Sequence, residues 1–147
     1  DGEPGMIGGM SEPIEILGLY LHLAQASEKR RRPHVRDRLL FAAAAIAARM
    51  HLFRISAYCR RKILQHNPRH AIGRWENVAE ALEDPDFLSI LRTIQRRYPQ
   101  EKAERLLAAL RIERGREREA YFDDEEYAAA LLGTTPEELD RLYGPFR

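Results

Sequence analysis

The sequence predicts an all-α protein: a single helical bundle of six or seven helices around a long central helix, with a short C-terminal helix pair. Three observations carry this expectation. Ala, Leu, Arg and Glu dominate the 147 residues while Val and Thr are scarce, a composition that favours helix over strand. Apolar residues recur at three- and four-residue spacing through most of the chain. Pro, Asn-Pro, Asp-Pro and Gly signals then cut that pattern into pieces of helix length. With 44% hydrophobic and 32% charged residues the chain is ordinary globular material, and its length suits one core, so residues 11–147 are read as one domain. The glycine-rich residues 1–10 are read as a flexible N-terminal segment or an expression scar and stand outside the fold argument.

Each element has its own signals. Ser11 is placed to cap a first helix that runs to about Gln25. Pro33, suited to a first helical turn, opens the long helix, which is expected to continue to about His66. Asn67 and Pro68 end it and start another, with Ile72, Trp75, Ala79 and Leu82 at helical spacing. Asp84 and Pro85 form the next boundary, followed by the apolar stripe Phe87, Leu88, Leu91, Ile94 and Tyr98, stopped before Pro99. Ala103, Leu106, Leu107 and Leu110 mark a further helix. Asp123 with Glu126 makes a capping box for a short helix closed by Gly133, and Thr135, Pro136 and Glu138 begin the last one, ending near Gly144.

On the expected long helix, Val35, Leu39, Ile46, Met50, Phe53, Ala57 and Leu64 share one stripe. Phe41, Leu52, Ile55, Cys59 and Ile63 share a second, on roughly the opposite side. A helix apolar on two sides is a central one. Between the stripes lie two arginine rows: Arg38, Arg49 and Arg60 on one edge, Arg36, Arg54 and Arg61 on the other.

Charge is sorted along the chain. The net charge of +1 conceals thirteen Lys or Arg against two acids between Glu28 and Arg74, with acidic segments on either side. A basic element of that density seeks phosphates, acidic protein surface or the acidic ends of its own fold. Clusters at 29–32 and 60–62 are expected at opposite ends of the long helix. The candidate anion- or nucleic-acid-binding residues are therefore Arg30, Arg31, Arg32, Arg38, Arg49, Arg60, Arg61 and Lys62. The preference for arginine suits bidentate contacts with phosphate or carboxylate.

Other chemistries find little support. No histidine follows a Glu by three residues, and His66 and His70 bracket Asn-Pro, so no metal-ligand spacing appears and no metal or cofactor is expected. Cys59 stands beside Arg60, Arg61 and Lys62 but on an apolar stripe, which reads as a core thiol. A single cysteine builds no internal disulfide, and no stretch is long enough to span a bilayer, so a cytoplasmic, soluble protein is expected. Residues 125–142, with Ala129, Gly133, Leu139 and Leu142, resemble a helix-turn-helix of the excisionase and MerR-like kind. The resemblance implies a DNA-reading second helix. That helix here carries Glu137, Glu138 and Asp140, which repel phosphates, and a capped helix pair packed on the bundle accounts for the same residues.

The expected function is a non-catalytic binding or adaptor protein whose arginine-rich helix meets an anionic partner, nucleic acid or acidic protein. The alternatives are a bundle enzyme with dispersed His, Glu and Cys59, and a self-assembling subunit, a homo-oligomer held by its sorted charges.

Overall fold

Among the described residues, which in this computed structural model are 12–110, 120, 121 and 123–145, the chain forms eight α-helices and no strand. They are α1 (Pro13–Lys29), α2 (Pro33–Arg49), α3 (Phe53–His66), α4 (Val78–Ala81), α5 (Pro85–Arg97), α6 (Gln100–Ala109), α7 (Asp124–Leu132) and α8 (Pro136–Tyr143), with a 3₁₀ turn at Ala71–Arg74 between α3 and α4. No helix among them is long and apolar enough to cross a membrane. Residues 1–10 and Ser11 lie outside the described residues. The first helix starts from Glu12, whose N–H donates to Glu15 Oε1 at 3.0 Å.

The long helix expected from the sequence is two helices. The chain reverses at Met50–Leu52, and α3 runs back along α2, with the Ser56 hydroxyl donating to Ala44 O at 2.8 Å. The reversal is a Schellman turn: His51 N–H donates to Ala48 O at 3.0 Å, Leu52 N–H donates to Ala47 O at 2.8 Å, and His51 adopts a left-handed φ of 63°. Such a turn usually carries glycine. Here it carries histidine, so nothing in the periodicity announces it. α1 ends in the same way at Arg31 (φ 59°), where Arg32 N–H reaches Ser27 O, and α7 ends at Gly133 (φ 77°), where Thr134 N–H reaches Ala129 O.

The helix expected across Ile72 to Leu82 is also interrupted. His70 caps the 3₁₀ turn through Nδ1, which accepts from Ile72 N–H at 3.0 Å, and Asn77 caps α4 by accepting from Glu80 N–H at 2.8 Å. Local side-chain acceptors here outcompete continuation of the helix. Downstream, the expected starts hold. Asp84, Asp123 and Thr135 cap α5, α7 and α8, and each accepts a backbone N–H in the first turn.

α2 is the centre of the bundle. α1 and α3 flank it along its length, and α4 and α5 close a further side. Its alanines at 42–45, 47 and 48 are all buried, so neighbouring backbones approach closely. Phe41 stacks on Phe87 of α5 (centroids 4.6 Å apart), and Trp75 meets Phe87 edge-on at 5.2 Å. α7 lies on α1 over Gly18, where an added Cβ would stand 2.6 Å from the Tyr127 hydroxyl. Tyr20 donates to Tyr98 O at 2.6 Å, fastening the end of α5 to α1.

Two outcomes test this arrangement. His51→Gly relieves the left-handed backbone cost and should raise unfolding stability by about 1 kcal/mol, read from the urea midpoint. Arg54→Ala strips the cation from carboxylates of α7 and α8 (below) and should lower stability by about 3–5 kcal/mol. Little change in the midpoint for the second variant would mean that the two C-terminal helices are held by apolar packing alone.

Candidate anion-binding face

The reversal at His51 redistributes every basic residue singled out in the sequence. The row Arg38, Arg49 and Arg60 does not exist, because it required an unbroken helix from 33 to 66. Arg38 is half-buried on α2 and Arg49 is exposed at its C-terminal end. Arg60 is half-buried on α3, with Nε donating to Trp75 O at 2.9 Å. The other row is dissolved as well. Arg54 is 4% exposed and donates through Nε and Nη2 to both oxygens of Glu125, at 2.9 and 2.7 Å; its Nη1 reaches Asp140 and Gly144 O. One guanidinium thereby satisfies acceptors from α7, α8 and the chain after α8. The hydrogen bonding to Glu125 outweighs desolvation and holds Arg54 above the ordinary guanidinium range. Arg36 turns to Glu28 (2.8 Å), to Asp37 (3.1 Å) and to Lys62 O (3.3 Å).

The acidic C-terminal helices take up Arg54, and of the candidate residues only Arg60 and Arg61 lie within electrostatic reach of α8, Arg61 beside Glu138. Among the described residues, Arg30, Arg31, Arg32, Arg38, Arg49 and Arg61 form no ion pair. The two clusters expected at opposite ends of a long helix are instead brought to the same end of a hairpin. Lys62 Nζ lies 3.8 Å from Glu28, which also binds Arg36, and Glu28 is two residues from Arg30. Arg30, Arg31 and Arg32 are exposed there, at the turn between α1 and α2. Arg49 lies at the opposite end of the 17-residue α2, about 24 Å away at 1.5 Å per residue.

Beside this end sits a titratable cluster that sequence reasoning missed. Asp37, 3% exposed, accepts from Arg36 and from His66 Nδ1 at 2.5 Å, so that the start of α2 and the end of α3 are clamped through one carboxylate. The His34 ring stands edge-on to His66 at 5.3 Å. With Nδ1 facing Asp37, the Nε2 edge of His66 is the one left for other contacts. The separation of 29 residues between Asp37 and His66 is legible only once the hairpin is known. His70 lies close by; burial, ahead of the neighbouring charges, lowers its basicity. Cys59 is fully buried, and desolvation pushes its thiol up to about 12, which places it in the core. Among the described residues no group of three His, Cys, Asp or Glu is arranged to hold a metal ion.

A second feature lies along the outer side of α3. The half of the first apolar stripe that falls on α3 is only partly buried: Phe53 is 47% exposed, and Ala57 and Leu64, the latter also touching the core, line an open groove of about 760 Å³ with Arg60 and Arg61. Val78 and Ala79 of α4 and Tyr143 of α8 complete its lining. The segment resembling a helix-turn-helix is the α7–α8 pair, packed on the bundle through Tyr127, Ala128, Ala129, Leu132 and Leu139, with Asp140 committed to Arg54.

His70 gives this region a pH dependence. Its Nδ1 accepts the Ile72 N–H, a bond that protonation at that nitrogen breaks, and its folded-state pKa lies below the ordinary imidazole value. Its contribution should therefore be complete above the ordinary imidazole pKa and be lost as pH falls through the lowered folded value. His70→Asn, which retains an acceptor, should flatten this part of the acid limb in pH-dependent unfolding. An NMR titration of His70 at or above the free imidazole value would refute the assignment.

Compared with known proteins, the chain matches no family model, no curated protein and no solved structure.

Proposed function

We propose that the chain is a non-catalytic helical adaptor that holds an anionic partner against the basic end of the α2–α3 hairpin. One observation carries the reading. The fold uses Arg36 and Arg54 internally, yet leaves Arg30, Arg31 and Arg32 exposed and without ion pairs among the described residues, next to Lys62. Unpaired like charges gathered at one end cost self-repulsion, which an anionic partner relieves. Glu28, whose carboxyl is held below its ordinary range by the Arg36 hydrogen bond, offsets only part of that charge.

Titration with a single-stranded oligonucleotide at increasing salt tests the reading. Affinity should fall linearly on a log–log plot, and replacing Arg30, Arg31 and Arg32 together by Ala should reduce the slope by about two, at roughly 0.7 for each phosphate no longer neutralised. Arg49→Ala, at the far end of α2, should leave the slope unchanged. Equal slopes for the wild type and the triple variant would remove this end from the site.

A second reading, a bundle enzyme using His66 as a general base, is favoured by the Asp37–His66 contact. It separates from the first because His66→Ala would abolish a turnover while leaving anion binding intact.

A further inference from the structure

We propose that the outer face of α3 is the seat of an acidic amphipathic helix belonging to a partner protein. The inference adds to the adaptor reading a second surface, apart from the basic end of the hairpin, and names the chemistry of what that surface holds.

The face begins at Phe53 and continues at Ala57, Arg60 with Arg61, and Leu64, a spacing of one helical face. Among the described residues this face stays open as a groove, although the sequence marks it as half of an apolar stripe. Phe53 is the one exposed large hydrophobic side chain among the described residues, and it stands at the end of the groove. From Phe53 to Gln65 the groove follows α3 for about 18 Å, or just over three turns. Val78 and Ala79 of α4 and Tyr143 of α8 also line it. A helical ridge with small residues at Ala57 and Ala79 in an elongated groove is the shape into which a second helix packs.

Charge selects the kind of helix. Arg60 is held in position by its Nε bond to Trp75 O, and its terminal nitrogens have no partner among the described residues. Arg61 is exposed and forms no ion pair among them. Glu76 is the one carboxylate in the lining, so the two guanidiniums leave the groove net positive. A neutral helix laid here would desolvate both cations without pairing them, a heavy penalty, whereas acids flanking its apolar residues would pair them. A nucleic acid fits less well. Its bases could stack on Phe53 or Tyr143 and its phosphates reach Arg60 and Arg61, but Ala57, Leu64, Val78 and Ala79 form an apolar surface that offers nothing to base edges.

The test is selection of three-turn peptides from a displayed random library on the full chain. Enriched sequences should place bulky apolar residues three and four apart with Asp or Glu beside them. A synthetic peptide of the winning sequence should lose at least tenfold in affinity on Arg61→Glu and on Phe53→Ala, both surface changes. It should lose less than threefold when Arg30, Arg31 and Arg32 become Ala. Failure to enrich acidic-apolar sequences overturns the proposal, as do winners indifferent to Arg61→Glu and Phe53→Ala. Self-association of the protein that disappears with Phe53→Ala overturns it too, because a second copy then fills the groove. The oligonucleotide titration on the same preparations separates the two ideas. Salt-dependent binding at Arg30–Arg32 with no groove peptide sinks the groove alone, and absence of both sinks the adaptor reading.

Discussion

The chain reversal at Met50–Leu52 is the constraint on which the rest of the structure depends. It rests on two backbone hydrogen bonds, into Ala47 O and Ala48 O, and on a histidine holding a left-handed φ. By doubling the chain back it lays α3 on the alanine face of α2, brings Lys62 to Glu28, sets His66 on Asp37 and turns Arg54 toward the C-terminal helices. A straight helix over the same residues would hold the 29–32 and 60–62 clusters about 40 Å apart. The basic end and the α3 groove are therefore products of this one turn.

Much of the fold was legible because capping chemistry is local. Pro33, Asp84, Asp123 and Thr135 each announce a helix start within three or four residues, and α2, α5, α7 and α8 begin where they say. The unread parts are those where local rules are broken or distant residues decide. His51 and Arg31 occupy positions where glycine is the ordinary signal, so two helix ends carried no mark. The break was hidden further because Ala42–Ala48 and Phe53–Leu64 each continue a helical period on their own. At the candidate site, the exposure of Arg30–Arg32 was readable as a cluster, whereas the burial of Arg54 was not. Nothing near position 54 distinguishes it from Arg61; what differs is the arrival of Glu125 and Asp140 from the far end of the chain.

Electrostatics in this molecule divides into two regimes. Arg54 and Arg36 are desolvated and accept geometrically demanding partners, Arg54 through a two-bond fork to Glu125. Pairs of that kind add little net stability against apolar replacements of the same shape, but they penalise any arrangement in which one member is left alone. They fix which helix lies where. Arg30, Arg31, Arg32 and Arg49 obey the opposite logic: exposed and without ion pairs among the described residues, they contribute little to the fold and set the field seen by an approaching molecule. Cys59, beside three cations in sequence yet sealed among apolar neighbours, shows how fully burial overrules sequence proximity.

Arg54 also imposes an order on biosynthesis. Its partners lie 71 and 86 residues downstream. While the chain is being made, the hairpin of α2 and α3 can form long before Glu125 and Asp140 leave the ribosome. Throughout that interval Arg54 must stay hydrated, and the surface that α7 and α8 later occupy stays open. The nascent protein is thus more basic along α3 than the finished one, and exposes more of its apolar side. Arrival of α7 and α8 converts an open cationic intermediate into the closed arrangement, so these two late-made helices set the surface character of α3.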